Sequence, residues 1–160
     1  MKKWKQYDII GVQKPSVTSE TQSFDENWSF HMPAKAYAVV FVAGGLYYCF
    51  LEFLWRGYTH WTMAITAGAC FLGLFFISSK GAKRPLLLLC LEGSLLITAL
   101  EFIAGSIVNL LLGWHVWDYS TLRFHLLGQV SLLYSIVWFF MCIPGIKLCC
   151  ILQNLLSEKA

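Results

Sequence analysis

Charge is what this sequence has least of. Only 13% of its 160 residues are Asp, Glu, Lys or Arg, about half the roughly 25% of an ordinary soluble domain. The hydrophobic share is 58% and the mean hydropathy is +0.60. A soluble chain this short has too little interior to hide so much apolar surface, so the excess calls for the bilayer as solvent. The net charge of +3 is small, and the basic residues are scattered between apolar runs. That excludes the clustered basic face of a nucleic-acid binder.

The motifs of soluble catalysis are also missing. There is no Walker A segment for ATP hydrolysis, no G-x-S-x-G nucleophile elbow, no H-E-x-x-H and no Gly-rich dinucleotide turn. The six cysteines lie in or against apolar runs, without the paired spacing of a zinc ribbon or a redox motif, and read as small packing residues. The opening MKKWKQYDII is charged but has no long apolar core, so it does not read as a cleavable secretory signal.

What is there is four apolar stretches, about 34–54, 61–78, 86–112 and 126–143. Crossing about 30 Å of hydrocarbon takes roughly 20 helical residues. The runs are continuous and Leu-rich rather than alternating, which favours helices over barrel strands. The expected fold is therefore an all-α membrane protein, a four-transmembrane-helix bundle over 34–156 preceded by an N-terminal cytoplasmic or interfacial arm over 1–33. Pro144-Gly145 is expected to stop or kink the fourth span, with a short helical tail from Ile146 to Leu156.

Basic residues set the expected orientation. Four spans put the arm, the middle loop and the tail on one side, with Lys2, Lys3, Lys5, Lys14, Lys35, Lys80, Lys83, Arg84, Lys147 and Lys159. The other side holds only Arg56 and Arg123. Both termini are thus expected in the cytoplasm of a multi-pass cell-membrane protein, with the connections 55–60 and 113–125 outside.

Three carboxylates fall within the apolar runs: Glu52, Glu92 and Glu101. A charge at mid-bilayer costs about 2.5–3.5 kcal/mol on insertion scales, so each needs a partner, a water-filled cavity or a relay. Arg56 lies one turn after Glu52 on the same face, as a structural ion pair or as a pair recognising a ligand. At about 100° per residue, Ser94, Thr98, Glu101, Gly105 and Asn109 form one polar or small stripe of the third helix. That stripe faces protein or a cavity. Glu92 points away from it and lies near the basic end. In the fourth span Gly128, Ser131, Ser135 and Trp138 form a complementary face, with Gln129 about 100° away. The outer segments WRGYTHW and GWHVWDYSTLRFH gather aromatics with Arg56, His60, Trp61, His115, Asp118, Arg123 and His125. An aromatic belt accounts for the rings; the ionisable groups suggest a shared site. No pair has the spacing of a preformed metal site, and neither a metal nor a cofactor is expected.

The segments LEFLWRGYTHWTMAITAG, ALEFIAGSIVNLLLGWHVWDYS and LLGQVSLLYSIVWF closely resemble the bacterial family named putative ABC-transporter type IV. The resemblance covers about Ala34 to Met141. It implies that Glu52, Arg56, His60, Trp61, Glu101, Asn109, Trp117, Asp118, Tyr119, Ser120 and Gln129 occupy the family's motif positions. It also implies a permease-like membrane component that works with a separate ATPase or other membrane subunit, or as a homo-oligomer. Three functions follow. The first is a non-enzymatic transport component with a polar site near the outer face, built from the Glu52–Arg56 pair and the Glu101–Asn109 stripe. The second is a non-catalytic scaffold or interaction subunit. The third is an intramembrane enzyme with Glu101 and Asp118 as acid and base.

Overall fold

A computed structural model describes residues 34–80 and 84–157. The arm expected over 1–33, its contacts with the membrane surface, and Lys83 lie outside the described residues. Four helices make up most of the rest: α1 (Ala34–Arg56), α2 (Trp61–Lys80), α3 (Leu86–Gly105) and α4 (Leu132–Ser157). A π-helical turn, Ser106–Leu111, extends α3, and two short antiparallel strands, β1 (His125–Leu126) and β2 (Val130–Ser131), precede α4. All four helices, α3 taken together with its π turn, are long and apolar enough to cross a bilayer. The expected all-α membrane bundle is the observed fold.

The helix ends have local causes. Gly57, at φ 74°, terminates α1 and donates its N–H to the Phe53 carbonyl, the left-handed stop that glycine adopts without a Cβ penalty. The His60 ring meets the Thr62 hydroxyl at 2.7 Å while the His60 carbonyl accepts the Met63 N–H, which organises the first turn of α2. Pro85 opens α3, its carbonyl accepting from Leu88 and Leu89. A proline there loses nothing, because a helix start has no partner for its first N–H groups.

The fourth span differs from expectation at both ends. Residues 126–131 are a hairpin, not the start of a helix. Leu127 and Gly128 both have positive φ, 51° and 70°, and the Gln129 N–H closes the turn on the Leu126 carbonyl. That is the geometry of a primed hairpin turn, hidden in the sequence by apolar neighbours. At the other end α4 runs unbroken through Pro144. Proline keeps a helical φ and removes one hydrogen bond, and the following turns are held by packing. Ile146 and Cys149 are buried in the core, and Gln153 donates to the Phe75 carbonyl and the Ser78 hydroxyl of α2. Lys147 is exposed on α4, where its long stem can carry the ammonium toward water.

α2 is the central helix and packs on all three others, whereas α1 lies along α2 and meets α4 at few positions. The apolar core sits toward the Lys80 and Arg84 end, with Ala36, Val40, Phe71, Phe75, Leu89, Cys142 and Ile146 among its members. Between α1 and α2 the backbones nearly touch. A Cβ built on Gly45 would lie 2.8 Å from the Ala64 carbonyl oxygen, and one on Gly68 would lie 2.8 Å from that of Phe41. In hydrocarbon, lipid is as apolar as the helix surface, so close approach of small residues is what holds helices together.

Gly45→Ala and Gly68→Ala should therefore each force α1 off α2. The expected cost is about 1–3 kcal/mol, the usual penalty of overpacking, read as a lower thermal unfolding midpoint in detergent. Gly57→Ala meets no neighbour within 4 Å but sits at φ 74°, so it should lower the midpoint through about 1–2 kcal/mol of backbone strain alone, without displacing α1 from α2.

A polar lattice and an apolar cavity at the loop end

The α3 stripe meets the α4 face directly. Ser94 donates to the Ser135 carbonyl at 2.7 Å, and Thr98 donates to the Ser135 hydroxyl at 3.0 Å. Glu101, only 4% exposed, accepts the Tyr119 hydroxyl on one oxygen and the Trp138 indole N–H on the other, at 3.0 and 2.9 Å. Tyr119 reaches down from the 112–131 segment and stacks on Tyr134 of α4, ring centroids 4.4 Å apart. Burial raises the Tyr119 pKa, and the neighbouring Glu101 adds to the effect, so the phenol stays protonated and able to donate.

Asn109 is the second hub. Its amide donates to the Trp117 carbonyl and to Gln129 Oε1, at 3.0 and 2.8 Å, and its Oδ1 accepts the Val116 N–H at 2.7 Å. The Trp117 indole N–H in turn donates to the Gln129 carbonyl. Gly105 leaves room for this: a Cβ there would lie 2.7 Å from Gln129 Oε1 and 3.0 Å from the Trp117 ring. Asn109 lies in the π turn that follows Gly105 and is buried there.

The other sequence-selected residues sit apart from these two hubs. Glu52, 5% exposed, accepts from Arg56 at 2.8 Å and from the Thr59 hydroxyl. Arg56 also donates to the Tyr58 hydroxyl and the Val116 carbonyl, and stacks over the Tyr58 ring at 4.8 Å. His60 and Trp61 form a three-ring cluster with Trp114, centroids 5.7–5.9 Å apart. Asp118 faces outward and accepts the Ser120 N–H and hydroxyl. These bonds, the backbone one foremost, hold its pKa below the usual carboxylate range, with His125 and His115 adding to the effect. Gly128 is required beside it, because a Cβ there would lie 2.7 Å from Asp118 Oδ1 at a φ of 70°. Glu92 pairs with Arg84, eight residues away, at the basic end.

Three non-glycine residues, His115, Phe124 and Leu127, hold left-handed backbone. Each costs roughly 1–2 kcal/mol and persists only where surrounding bonds over-determine it. All three lie in the segment that the Asn109 and Glu101 bonds pin down. Among the described residues no group of three or more His, Cys, Asp or Glu could hold a metal ion.

A cavity of about 90 Å³ lies in the bundle between α1 and the α3–α4 pair, with α2 behind it. Tyr48, Met63, Ile97, Glu101, Trp138 and Met141 are among its walls. Glu101 thus belongs to both the lattice and the cavity, whereas Glu52, Arg56 and Asn109 do not line it. Thr59, Tyr134 and Tyr48 are site residues that sequence reasoning misses. Tyr48 has a signal, lying one turn before Glu52; Thr59 and Tyr134 find their partners only through the folded loops.

A family model described as putative ABC-transporter type IV matches residues 63–159, more than half of the chain. The match begins after Glu52, Arg56, His60 and Trp61 and continues past Met141, so its extent differs from the Ala34–Met141 expected from the motifs. Comparisons with curated proteins and with solved structures give no match.

Asn109→Ala should remove three bonds at once. At about 0.6 kcal/mol per interhelical bond, and more where a buried carbonyl or amide is left orphaned, the loss is about 2 kcal/mol. Proteolysis within 112–131 should accelerate well before the helices unfold. Asp118, with its depressed pKa, stabilises its turn at neutral pH and stops doing so as pH falls through that lowered value. Hydrogen exchange at the Ser120 amide should therefore rise under acid beyond its intrinsic rate change, and Asp118→Asn should flatten that response.

Proposed function

The chain belongs to the putative ABC-transporter type IV family, and on that premise we propose that it is a permease-like, multi-pass component of a transport system in a bacterial cell membrane. Both termini face the cytoplasm in this reading, because ten of its twelve basic residues fall on that side of a four-span bundle. The chain is not itself an enzyme in this reading. With no Walker A segment in its 160 residues, ATP hydrolysis is assigned to a separate ATPase, with the present chain as its membrane-embedded partner.

The observation that carries this reading is the position of Glu101. A carboxylate within an apolar helix is expensive, and here it is held by two donors on the wall of a cavity lined from all four helices. Its bonds run to the external segment through Tyr119 and to α4 through Trp138. A change at the cavity is thereby felt at the outer surface and along a helix that runs to the cytoplasmic side. The polar site is Glu101 with Tyr119 and Trp138; the Asn109, Trp117 and Gln129 cluster positions the segment that supplies Tyr119.

A second reading, a scaffold or interaction subunit, is favoured by one observation. Among the described residues no buried side-chain N or O atom lacks a hydrogen-bond partner, so the lattice is complete without cargo. The two readings part on Glu101→Gln, studied after affinity isolation from native membranes. In the transport reading the variant still inserts and co-isolates an ATPase, but ATP hydrolysis by the complex changes by about tenfold, the equivalent of one lost charge-assisted hydrogen bond. In the scaffold reading, assembly and thermal stability fall together and hydrolysis per assembled complex is unchanged. Recovery of the wild-type chain with no ATPase under any membrane-preserving condition would rule the transport reading out.

A further inference from the structure

The cavity itself is unlike the polar site it touches. Two of its polar wall residues are already engaged: both Glu101 oxygens accept bonds from Tyr119 and Trp138, and the Thr66 hydroxyl donates to the Thr62 carbonyl. Tyr48 tilts its ring against Trp138, centroids 6.1 Å apart. The remainder of the wall is mainly aliphatic, aromatic, thioether, thiol and glycine, including Met63, Ile97 and Met141. Although Tyr47 and Tyr48 also belong to the wall, the surface turned to the space is almost wholly apolar, so it does not retain water, which needs two or more polar partners. Left empty, it forfeits dispersion contacts on every wall.

Its place in the fold says what can fill it. The walls include Gly44 and Tyr48 of α1 and Trp138 and Met141 of α4, the two helices that scarcely meet. All the wall residues fall within the four helices that are long and apolar enough to cross a membrane, so in a bilayer the medium around this stretch of the bundle is hydrocarbon. The cavity's volume, about 90 Å³, is less than the roughly 150 Å³ apolar cavity that accommodates benzene. It has room for the end of an alkyl chain and not for a polar headgroup or fused rings.

We propose that this cavity is a binding site for the hydrocarbon chain of an amphiphile, which enters sideways from the bilayer between α1 and α4 and ends against Ile97, Trp138 and Met141. The site takes the chain of a two-tailed membrane lipid or that of a single-tailed amphiphile, since the wall reads only the alkyl portion. It stands whichever reading of function holds: the chain is cargo in a transport component and a resident lipid in a scaffold.

The test uses the full-length protein in nanodiscs and two photoreactive probes. One is a fatty acid with a diazirine near its methyl end; the other is a phosphatidylcholine with the same group on one tail. Labelled residues are mapped by peptide mass spectrometry. At least one probe should label Ile97, Trp138 or Met141 saturably, with excess unlabelled lipid of the same class suppressing the signal; the probe that does so identifies the source. Labelling of the exposed Leu46 and Phe50 should not saturate. Ala67→Phe, which fills the cavity from α2, should lower the saturable signal about tenfold, the affinity carried by roughly two buried methylenes. If neither probe labels the cavity residues saturably in the wild type, the proposal fails, independently of whether the filled variant folds. Full saturable labelling in a folded Ala67→Phe protein overturns it equally.

Discussion

Polar groups placed in a medium that cannot solvate them must find partners within the protein, and the loop end of this bundle is organised by that requirement. Glu101 lies on α3 and Asn109 on the π turn that extends it, and neither takes its side-chain hydrogen bonds from those elements. The partners come from the 112–131 segment and from the upper part of α4: Tyr119, Trp138, Trp117 and Gln129. The segment pays for this service with left-handed backbone at three non-glycine positions. Without these bonds the segment would rest on ring contacts such as Tyr119–Tyr134 and Trp114–Trp61, because the hairpin's own ladder is only two residue pairs long.

The two ends of the bundle are consequently held by different physics. Toward the basic end, small and aromatic side chains interlock, and Gln153 ties the last turns of α4 to α2. Toward the loops, contact is made through directed hydrogen bonds, and α1 stands away from α4. Close packing tolerates little displacement. The cavity joins the two regions, its walls running from Glu101 and Trp138 of the lattice to Phe71, Leu74 and Cys142 of the apolar core.

Much of this architecture is legible in the amino-acid sequence. Run length alone locates four spans, because the bilayer imposes a minimum length that few soluble helices share. The Glu52–Arg56 pair follows from one-turn spacing, and the meeting of the Ser94–Glu101 stripe with Ser135 and Trp138 follows from helical phase. The rest is hidden for identifiable reasons. Leu126, Leu127 and Val130 of the 125–131 hairpin are apolar, so hydropathy merges the segment with the helix that follows, and Gly128 is the residue that betrays the turn. The Arg84–Glu92 pair spans eight residues and a helix start, beyond any one-turn rule. Pro144 reads as a breaker, yet a helix anchored on both sides tolerates the loss of one bond. The expected joining of Glu52 and Glu101 in one polar pocket rests on phase within separate helices. Phase cannot report that Thr59 and Arg56 already satisfy Glu52 and that the cavity beside Glu101 is walled mainly by hydrocarbon.

Pro144 has one more effect. With no N–H to give, it leaves the carbonyl one turn earlier, at Phe140, without its helical donor. α4 stays continuous, its lower turns tied to α2 and its upper turns bearing Tyr134 and Trp138, and the missing rung lies beside Met141 and Gly145 on the cavity wall. Bending there would cost less than anywhere else along the helix. Trp138, just above the missing rung, holds the carboxylate of Glu101, so the weak point of the α4 ladder falls where the apolar core gives way to the polar lattice.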